Sequence, residues 1–319
     1  MEHKSVLLQE TIDLLNIRPD GIYVDCTLGR GGHSEEILKR LTTGHLYAFD
    51  KDETAIAESS ERLSPYASRV TLIHADFRDI KQKLAEYGIY EADGVMMDLG
   101  VSSPQFDDPQ RGFSYRFDTP LDMRMDQSDS LTAYDVVNTY RFEDLVRILR
   151  TYGEEPNAMR IARAIEKRRE HDGPIETTGQ LVDTIRSALP EKILRKKGHP
   201  AKQTFQAIRI EVNHELDALT EGLEDACNLL KTGGRCAVIT FHSLEDRIVK
   251  TTFKRYSSAP FVDPKLPLKE SQMVQASFSL VTRHPVMASE EEMEENHRAH
   301  SARLRVLERT KRNQNGKGC

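Results

Sequence analysis

The sequence is first informative for what it lacks. Its four cysteines, Cys26, Cys227, Cys236 and Cys319, are scattered and never fall at C-x-x-C spacing. That excludes a disulfide framework and a cysteine-rich zinc site, so no metal is expected and a reducing compartment, the cytoplasm, is. No apolar run approaches the length needed to span a bilayer, and the N-terminus opens into an amphipathic segment rather than a signal peptide. Net positive charge is also missing. With 45 Lys and Arg against 51 Asp and Glu, the formal charge is -6. The protein is no general polyanion binder, and any nucleic-acid contact must come from local basic patches. No internal repeat is visible. What remains is a well-charged globular chain of 319 residues, 38% hydrophobic and 30% charged, long enough for one large domain or two.

The chain is organised around Asp25-Cys-Thr-Leu-Gly-Arg-Gly-Gly-His33. An apolar run before it reads as a buried parallel strand, and 34–41 after it carries helical spacing with acids in its first turn. Gly29, Gly31 and Gly32 thus fall where a strand ends and a helix begins. There, glycine permits a tight turn and lets a ligand approach the main chain. Two familiar patterns are absent: the order is not G-x-G-x-x-G, and no phosphate-binding lysine follows. The next apolar run, 45–50, closes on Asp50, an acid placed to take the hydroxyls of an adenosine ribose. An adenosine ligand whose other end is not a pyrophosphate fits this order, and S-adenosylmethionine is such a ligand.

Alternation continues. A helix at 5–16 precedes the sheet, 52–63 reads as a helix, 70–77 as a strand ending in Asp76-Phe77, 80–87 as a short helix, and 93–100 as a strand closing on Asp98. Four strands therefore bear acids near their carboxyl ends: Asp25, Asp50, Asp76 and Asp98. One such acid is commonly a helix cap. Four along one edge would repel one another, and a cationic sulfonium ligand would relieve that. Phe77 suits the adenine plane and equally suits a core position beneath the strand end.

After Val101-Ser-Ser-Pro-Gln-Phe106 the rhythm stops. A long polar, aromatic stretch at 107–126 reads as a loop covering a site. Helical patterns follow at 133–138, 142–150, 157–170 and 178–189, an all-α block up to about Gly198. It carries Arg160, Arg163, Lys167, Arg168 and Arg169, then Arg195, Lys196, Lys197 and Lys202, two basic clusters suited to phosphates, although solvated helix faces look the same. Helical pattern fills 204–230, a turn follows at 231–234, and a buried strand at 235–243 resumes the sheet. A helix at 244–256, a proline-containing loop at 257–275, strands at 277–282 and 302–308, an exposed acidic segment at 289–296 and a disordered tail from Lys311 complete the chain. The expected divisions are 1–106 for the first part of the sheet domain, 107–200 for an inserted helical domain, 201–310 for the second part, and 311–319 for the tail.

Several motifs together resemble one family. They are the glycine segment through Ser34, Asp98-Leu-Gly-Val-Ser-Ser-Pro-Gln105, Arg111-Gly-Phe-Ser, Pro120-Leu-Asp-Met-Arg-Met-Asp126, Tyr152-Gly-Glu-Glu, His199-Pro-Ala, Thr204-Phe-Gln-Ala-Ile-Arg-Ile, Phe241-His-Ser-Leu-Glu-Asp-Arg247 and Arg303-Leu-Arg. The chain is similar, from about Lys4 to Glu308, to the bacterial ribosomal RNA small-subunit methyltransferase H family, also called MraW. The resemblance implies a class I, Rossmann-like α/β fold with a mostly parallel sheet and an inserted all-α substrate domain. It implies methyl transfer from S-adenosylmethionine to N4 of a cytidine in the decoding region of 16S rRNA, within the small ribosomal subunit and away from any membrane. By motif, cofactor contacts fall on Gly31, Gly32, His33, Asp50, Phe77, Asp98 and Gln105.

The cytosine amine is a poor nucleophile because its lone pair is delocalised, so a catalyst must orient it and accept its hydrogens. The segment 102–105, with Ser103 and Pro104 as catalytic candidates, follows the fourth strand where amino-methyltransferases carry a polar-Pro loop. Asp122, Asp126 and His242 are weaker candidates for the proton, and His242 suits a structural role as well. Phe106, Phe113, Tyr115 and Phe117 can stack on an unstacked base or pack the loop. Three other readings stand beside this one: a methyltransferase for DNA or another RNA, a non-catalytic ribosome-assembly module, and a nicotinamide oxidoreductase, which the glycine spacing disfavours. The oligomeric state is open, a homodimer being one option.

Overall fold

A computed structural model describes residues 5–259 and 276–310, and for Ser103 and Pro104 the backbone alone. The expected loop at 257–275 falls largely, and the expected disordered tail wholly, outside the described residues. By Cα proximity the chain forms two compact units, Met1–Gly100 with Asp217–Cys319, and Val101–Leu216.

The first unit alternates as its sequence pattern dictates. It runs α1 (Leu8–Leu15), β1 (Ile22–Asp25), α2 (Gly32–Arg40), β2 (His45–Asp50), α3 (Glu53–Arg62), β3 (Val70–His74), α4 (Ile80–Glu86) and β4 (Ala92–Asp98). The second unit then contributes α5 (Ser103–Asp107), α6 (Ala133–Thr139), α7 (Phe142–Thr151), α8 (Ala158–His171), α9 (Thr178–Ala188), α10 (Glu191–Leu194) and α11 (Lys202–Asn213). The first unit resumes with α12 (Glu215–Leu229), β5 (Leu230–Thr240), α13 (Ser243–Ser257), β6 (Phe278–Leu280), α14 (Glu290–Glu295) and β7 (Arg303–Arg309).

Among the described residues the strands form one seven-stranded sheet in the order β3-β2-β1-β4-β5-β7-β6. Pairing is parallel from β3 through β5, and β7 runs antiparallel to both β5 and β6. The mostly parallel α/β sheet expected from the sequence is therefore the fold. Chain order reverses between β1 and β4, and in open α/β sheets ligands bind in the crevice at such a switch point, beyond the carboxyl ends of the strands.

Strand residues alternate between two cores, as a pleated sheet requires. Val24, Val95, Met97, Cys236 and Val238 face Ile80 and Leu84 of α4, Leu219 and Leu223 of α12, and Val249 and Phe253 of α13. Tyr23, Met96, Ala237 and Ile239 face Ile12 and Leu15 of α1 and Ile37 and Leu38 of α2. The turn expected at 231–234 is an irregularity inside β5: pairing with β4 jumps from Ala92↔Leu230 to Gly94↔Arg235, and Gly233 takes φ +83° to absorb it.

The second unit has its own core, built from Val136 and Val137 of α6, Leu145 and Ile148 of α7, Ile161 and Ile165 of α8, Leu181 and Ile185 of α9, and Phe205 and Ile208 of α11. Here the boundary differs from the expected 107–200. Because α11 packs on α6 and α7, residues 201–216 belong to this unit's core and the chain returns to the first unit only at Asp217. The stretch 107–126, expected to be a loop, is mostly irregular and anchors itself in this core. Phe113, Leu121, Met123 and Met125 are buried in the same core, and buried Arg111 donates from Nη2 to the carbonyls of Arg124 and Met125.

Candidate functional site

The site is assembled from hydrogen bonds that stitch three strand ends together. Asp25, at the end of β1, is buried. Its Oδ2 accepts from Ser34 Oγ at 2.6 Å and its Oδ1 from the Thr27 amide at 3.0 Å. The Thr27 hydroxyl accepts from the Asp98 amide at 2.6 Å, tying the turn to β4, and the Leu28 amide donates to the Phe49 carbonyl, tying it to β2. Asp25 thus staples the turn between β1 and α2. Burial pushes its carboxyl up to about 6 despite those donors.

The glycines divide by reason. Gly31 caps α2 in the left-handed region at φ +73°, which an L side chain resists. At Gly32 the constraint is space: an added Cβ would collide with the Ser5 hydroxyl, so the N-terminal segment itself covers this part of the turn. Gly29 spends both backbone groups within the protein. Its amide donates to Asp50 Oδ2 at 2.8 Å, and its carbonyl accepts from Ser59 Oγ at 2.7 Å.

The expected row of carboxylates resolves into different duties. Asp50 takes the Gly29 amide on one oxygen and the Asp52 amide on the other, 2.9 Å away, and burial pushes it up to about 6. Each oxygen keeps a lone pair for a further donor. Asp76 is a correction: Oδ1 caps the 3-10 turn Phe77–Asp79 through the Arg78 amide, and Oδ2 lies 3.7 Å from Lys51 Nζ, so it is partnered locally. Asp98 differs from all three. About a quarter (26%) of its side chain is exposed, yet Oδ1 is buried with no hydrogen-bond partner among the described residues. Burial first, then the charges of Asp25 and Glu245, push its carboxyl up to about 8.

His33 stands beside it. Its ring is 5% exposed, and Nε2 lies 3.2 Å from the Val6 carbonyl, which can only accept. Nε2 therefore carries the hydrogen and Nδ1 is an acceptor. Burial holds the imidazole down at about 4, so it is neutral at physiological pH. Nδ1 is 3.8 Å from Asp98 Oδ2, too far for a hydrogen bond. With Asp98 ionised the two present acceptors side by side, one of them a carboxylate oxygen without a partner among the described residues, and that arrangement suits a donor that is cationic and rich in N–H. The ammonium of S-adenosylmethionine meets that demand, so the residues present fit this cofactor.

The remaining expected residues sort as follows. Phe77 is half-buried and lies against α12, where a Cβ at Gly222 would come within 2.6 Å of its ring. Gln105 is buried in the second unit, its Oε1 accepting from the Ser102 amide at 3.0 Å. Ser103 and Pro104 sit in the first turn of helix α5 rather than in a loop, proline being suited to a first turn.

Of the proton-accepting candidates, Asp122 grips Arg124 through both oxygens and Asp126 holds Ser128. His242 is the N-cap of α13, in a capping box with Glu245. Asp122 and Asp126 are thus committed to structure, as is Nδ1 of His242, whose Nε2 is buried 3.1 Å from Glu245 Oε1 without a hydrogen-bond partner among the described residues. Tyr115 stacks on His199 with centroids 4.1 Å apart, Phe113 is core, and Phe117, 43% exposed, is the aromatic of that group most open to a base. In the basic clusters Arg169 is occupied with the carbonyls of Val137 and Tyr140, Arg163 lies over Phe142 and Arg168 pairs with Asp172, while Arg160, Lys167, Lys196, Lys197 and Lys202 are exposed. Glu292 carries no mark in the sequence, yet its Oε1 accepts from the Leu7 amide at 2.7 Å across 285 residues of chain. No local pattern signals such a bond.

The model of the MraW methylase family matches residues 1–310. Ribosomal RNA small subunit methyltransferase H of Exiguobacterium sibiricum is 54% identical over 310 residues, covering 97% of this chain and 99% of that protein. Among solved structures, an rRNA methylase from Streptococcus thermophilus aligns over 98% of this chain and 99% of its own at 12% identity and a TM-score of 0.42. A SAM-dependent O-methyltransferase from Thermotoga maritima aligns over 98% and 69% at 9% identity and a TM-score of 0.41. Matched along nearly its whole length by family model and relative alike, the chain belongs to the MraW methylase family and is a methyltransferase whose methyl donor is S-adenosylmethionine.

Proposed function

We propose that this chain methylates N4 of a cytidine in the decoding region of 16S ribosomal RNA, acting on the small ribosomal subunit in the cytoplasm. The observation that carries the reading is the buried Asp98 oxygen without a partner, beside a neutral His33, above a glycine turn at the switch point of the sheet. The family and the 54% identical relative named for small-subunit ribosomal RNA support the substrate class.

When bound, the cofactor supplies an electrophilic methyl group on a sulfonium. The chain's own residues then have three tasks. Asp98 and His33 Nδ1 accept hydrogen bonds from the cationic amino-acid end. The spare lone pairs of Asp50 accept from the ribose hydroxyls, with Gly31, Gly32, Phe77 and Gln105 completing the contacts that the motifs imply. Ser103 and Pro104, which follow β4 in the chain, are assigned to hold the hydrogens of the cytosine amine so that its lone pair returns to nitrogen. The methyl group would pass from that sulfonium to the amine nitrogen, leaving a neutral thioether, and the proton given up by the amine would go to solvent water. Positioning of this kind accounts for a large part of such a rate, because the leaving group is already good. Arg160, Lys167, Lys196, Lys197 and Lys202 supply the phosphate contacts.

Mass spectrometry of ribosomal RNA nucleosides from cells with and without this protein tests the reading. Loss of N4-methylation at one small-subunit cytidine is expected. An unchanged 16S pattern, or loss confined to DNA or another RNA, overturns it.

A further inference from the structure

The hydrogen bond between the two ends of the chain has a consequence for the cofactor site. Leu7 is buried, non-glycine and left-handed, at φ 50° and ψ 36°, immediately before α1. For an L residue this conformation costs about 1–2 kcal/mol relative to the right-handed one, so something must hold it. α1 has no side-chain cap from Leu7 itself. The group that engages the Leu7 amide is Glu292 Oε1, at 2.7 Å. Glu292 lies in α14, which Ser289 caps by accepting from the Glu292 amide at 3.1 Å, and neighbouring Met293 packs on the core face that also buries Leu7. The residue one peptide earlier is Val6, and its carbonyl is the one facing His33 Nε2 at 3.2 Å. Ser5, one further back, is the residue closed against Gly32. Three consecutive residues thus form a strap across the glycine turn, and a carboxylate from the far end of the sequence ties it down.

We propose that Glu292 is a positioning residue for the cofactor site: by holding the Leu7 amide it fixes the Val6 carbonyl, which selects the Nε2–H form of His33 and leaves Nδ1 an acceptor beside Asp98. The carboxylate never touches the ligand. It acts through the orientation of one backbone carbonyl. Were the strap released, the Val6 carbonyl would be free to turn away, the hydrogen could move to Nδ1, and the acceptor facing the amino-acid end would become a donor. The consequence for the cofactor rests on the S-adenosylmethionine reading of the site. The tautomer of His33 does not, which allows the two to fail separately.

The test uses the full chain with Glu292→Ala and Glu292→Gln. Thermal melting and circular dichroism establish that each variant is folded. Nitrogen-15 spectra of the histidine rings, with His33 assigned through His33→Gln, read the tautomer in the ligand-free protein, and calorimetry with S-adenosylhomocysteine reads affinity. Wild type is expected to show a pyridine-type Nδ1 at His33. Glu292→Ala is expected to shift His33 toward a mixture of tautomers and to weaken binding by about tenfold, the scale of one hydrogen bond to a charged group. Glu292→Gln keeps an acceptor on the side chain and is expected to restore most of both. A folded Glu292→Ala that retains the wild-type His33 spectrum overturns the proposal. If the spectrum shifts while wild type itself fails to bind the probe, the positioning role stands and the cofactor reading falls.

Discussion

Raising the pH should tighten cofactor binding, and Asp98 sets by how much. Its carboxyl is pushed up to about 8 in the ligand-free protein, so at pH 7 it is about nine-tenths protonated. A cationic ligand needs the ionised form, and ionising the group at pH 7 costs on the order of 1 kcal/mol. That cost vanishes by about pH 9, so affinity should rise by about tenfold over the interval. Three neighbouring groups with shifted titrations leave this window clear. His33 is held at about 4 and stays neutral, while Asp25 and Asp50, at about 6, are already largely ionised above pH 7.

The stability of the free protein moves the opposite way. Acids whose folded pKa values lie above their unfolded values favour the folded state when protonated. Their contribution is complete below about pH 4 and is lost as the pH climbs through about 6 and then 8. Isothermal calorimetry with S-adenosylhomocysteine at several pH values, in two buffers of different ionisation enthalpy, measures both affinity and proton release. The ratio of wild type to Asp98→Asn removes the ligand's own titration. About one proton released near pH 7 by wild type, and none by Asp98→Asn, is the expected result. A ratio independent of pH, with no proton release, would refute the assignment of Asp98 to the cationic end.

Other substitutions separate binding from folding. Asp50→Ala strips the partners from the Gly29 and Asp52 amides, so it should lower stability by about 2 kcal/mol in a denaturant titration as well as weaken the cofactor; unaltered calorimetric affinity would contradict the ribose assignment. Replacing Arg195, Lys196 and Lys197 together by alanine should weaken RNA binding and flatten its salt dependence by about one unit of slope for each phosphate no longer neutralised, with cofactor affinity unchanged; an unchanged slope would remove this cluster from the RNA surface. Arg169→Ala should behave differently although it belongs to the same basic pattern. It releases the Val137 and Tyr140 carbonyls at and beyond the end of α6 and should cost about 1–2 kcal/mol in thermal unfolding, while a loss confined to RNA binding would contradict its structural role.

The sheet was legible because its signals are local. An apolar run ending in Asp25, glycines at the turn and a helical period after them are all contained within a few residues, and β1, the turn and α2 stand where those residues put them. The helices α6, α7, α8 and α9 were equally plain, since each carries its own apolar stripe. What escaped depends on partners distant in sequence. Asp76 and Asp98 look alike as strand-terminal acids, and only the fold shows that one meets Lys51 and an amide while the other keeps a buried oxygen to itself. Tyr115 has the chemistry of a stacking platform for a base, but His199 already occupies its face. The end of the second unit at Leu216 reflects α11 packing on α6 and α7, which no composition shift announces. Glu292 lies in an acidic stretch that reads as solvated surface, and its bond to Leu7 spans nearly the whole chain.

The most direct measurement is a crystal structure of this protein with S-adenosylhomocysteine. The ligand is expected over the carboxyl ends of β1, β2 and β4, with its ammonium on Asp98 and His33 Nδ1 and its ribose hydroxyls on Asp50. Density at a different surface, with Asp98 Oδ1 still lacking a partner, would contradict that placement and the chemistry built on it.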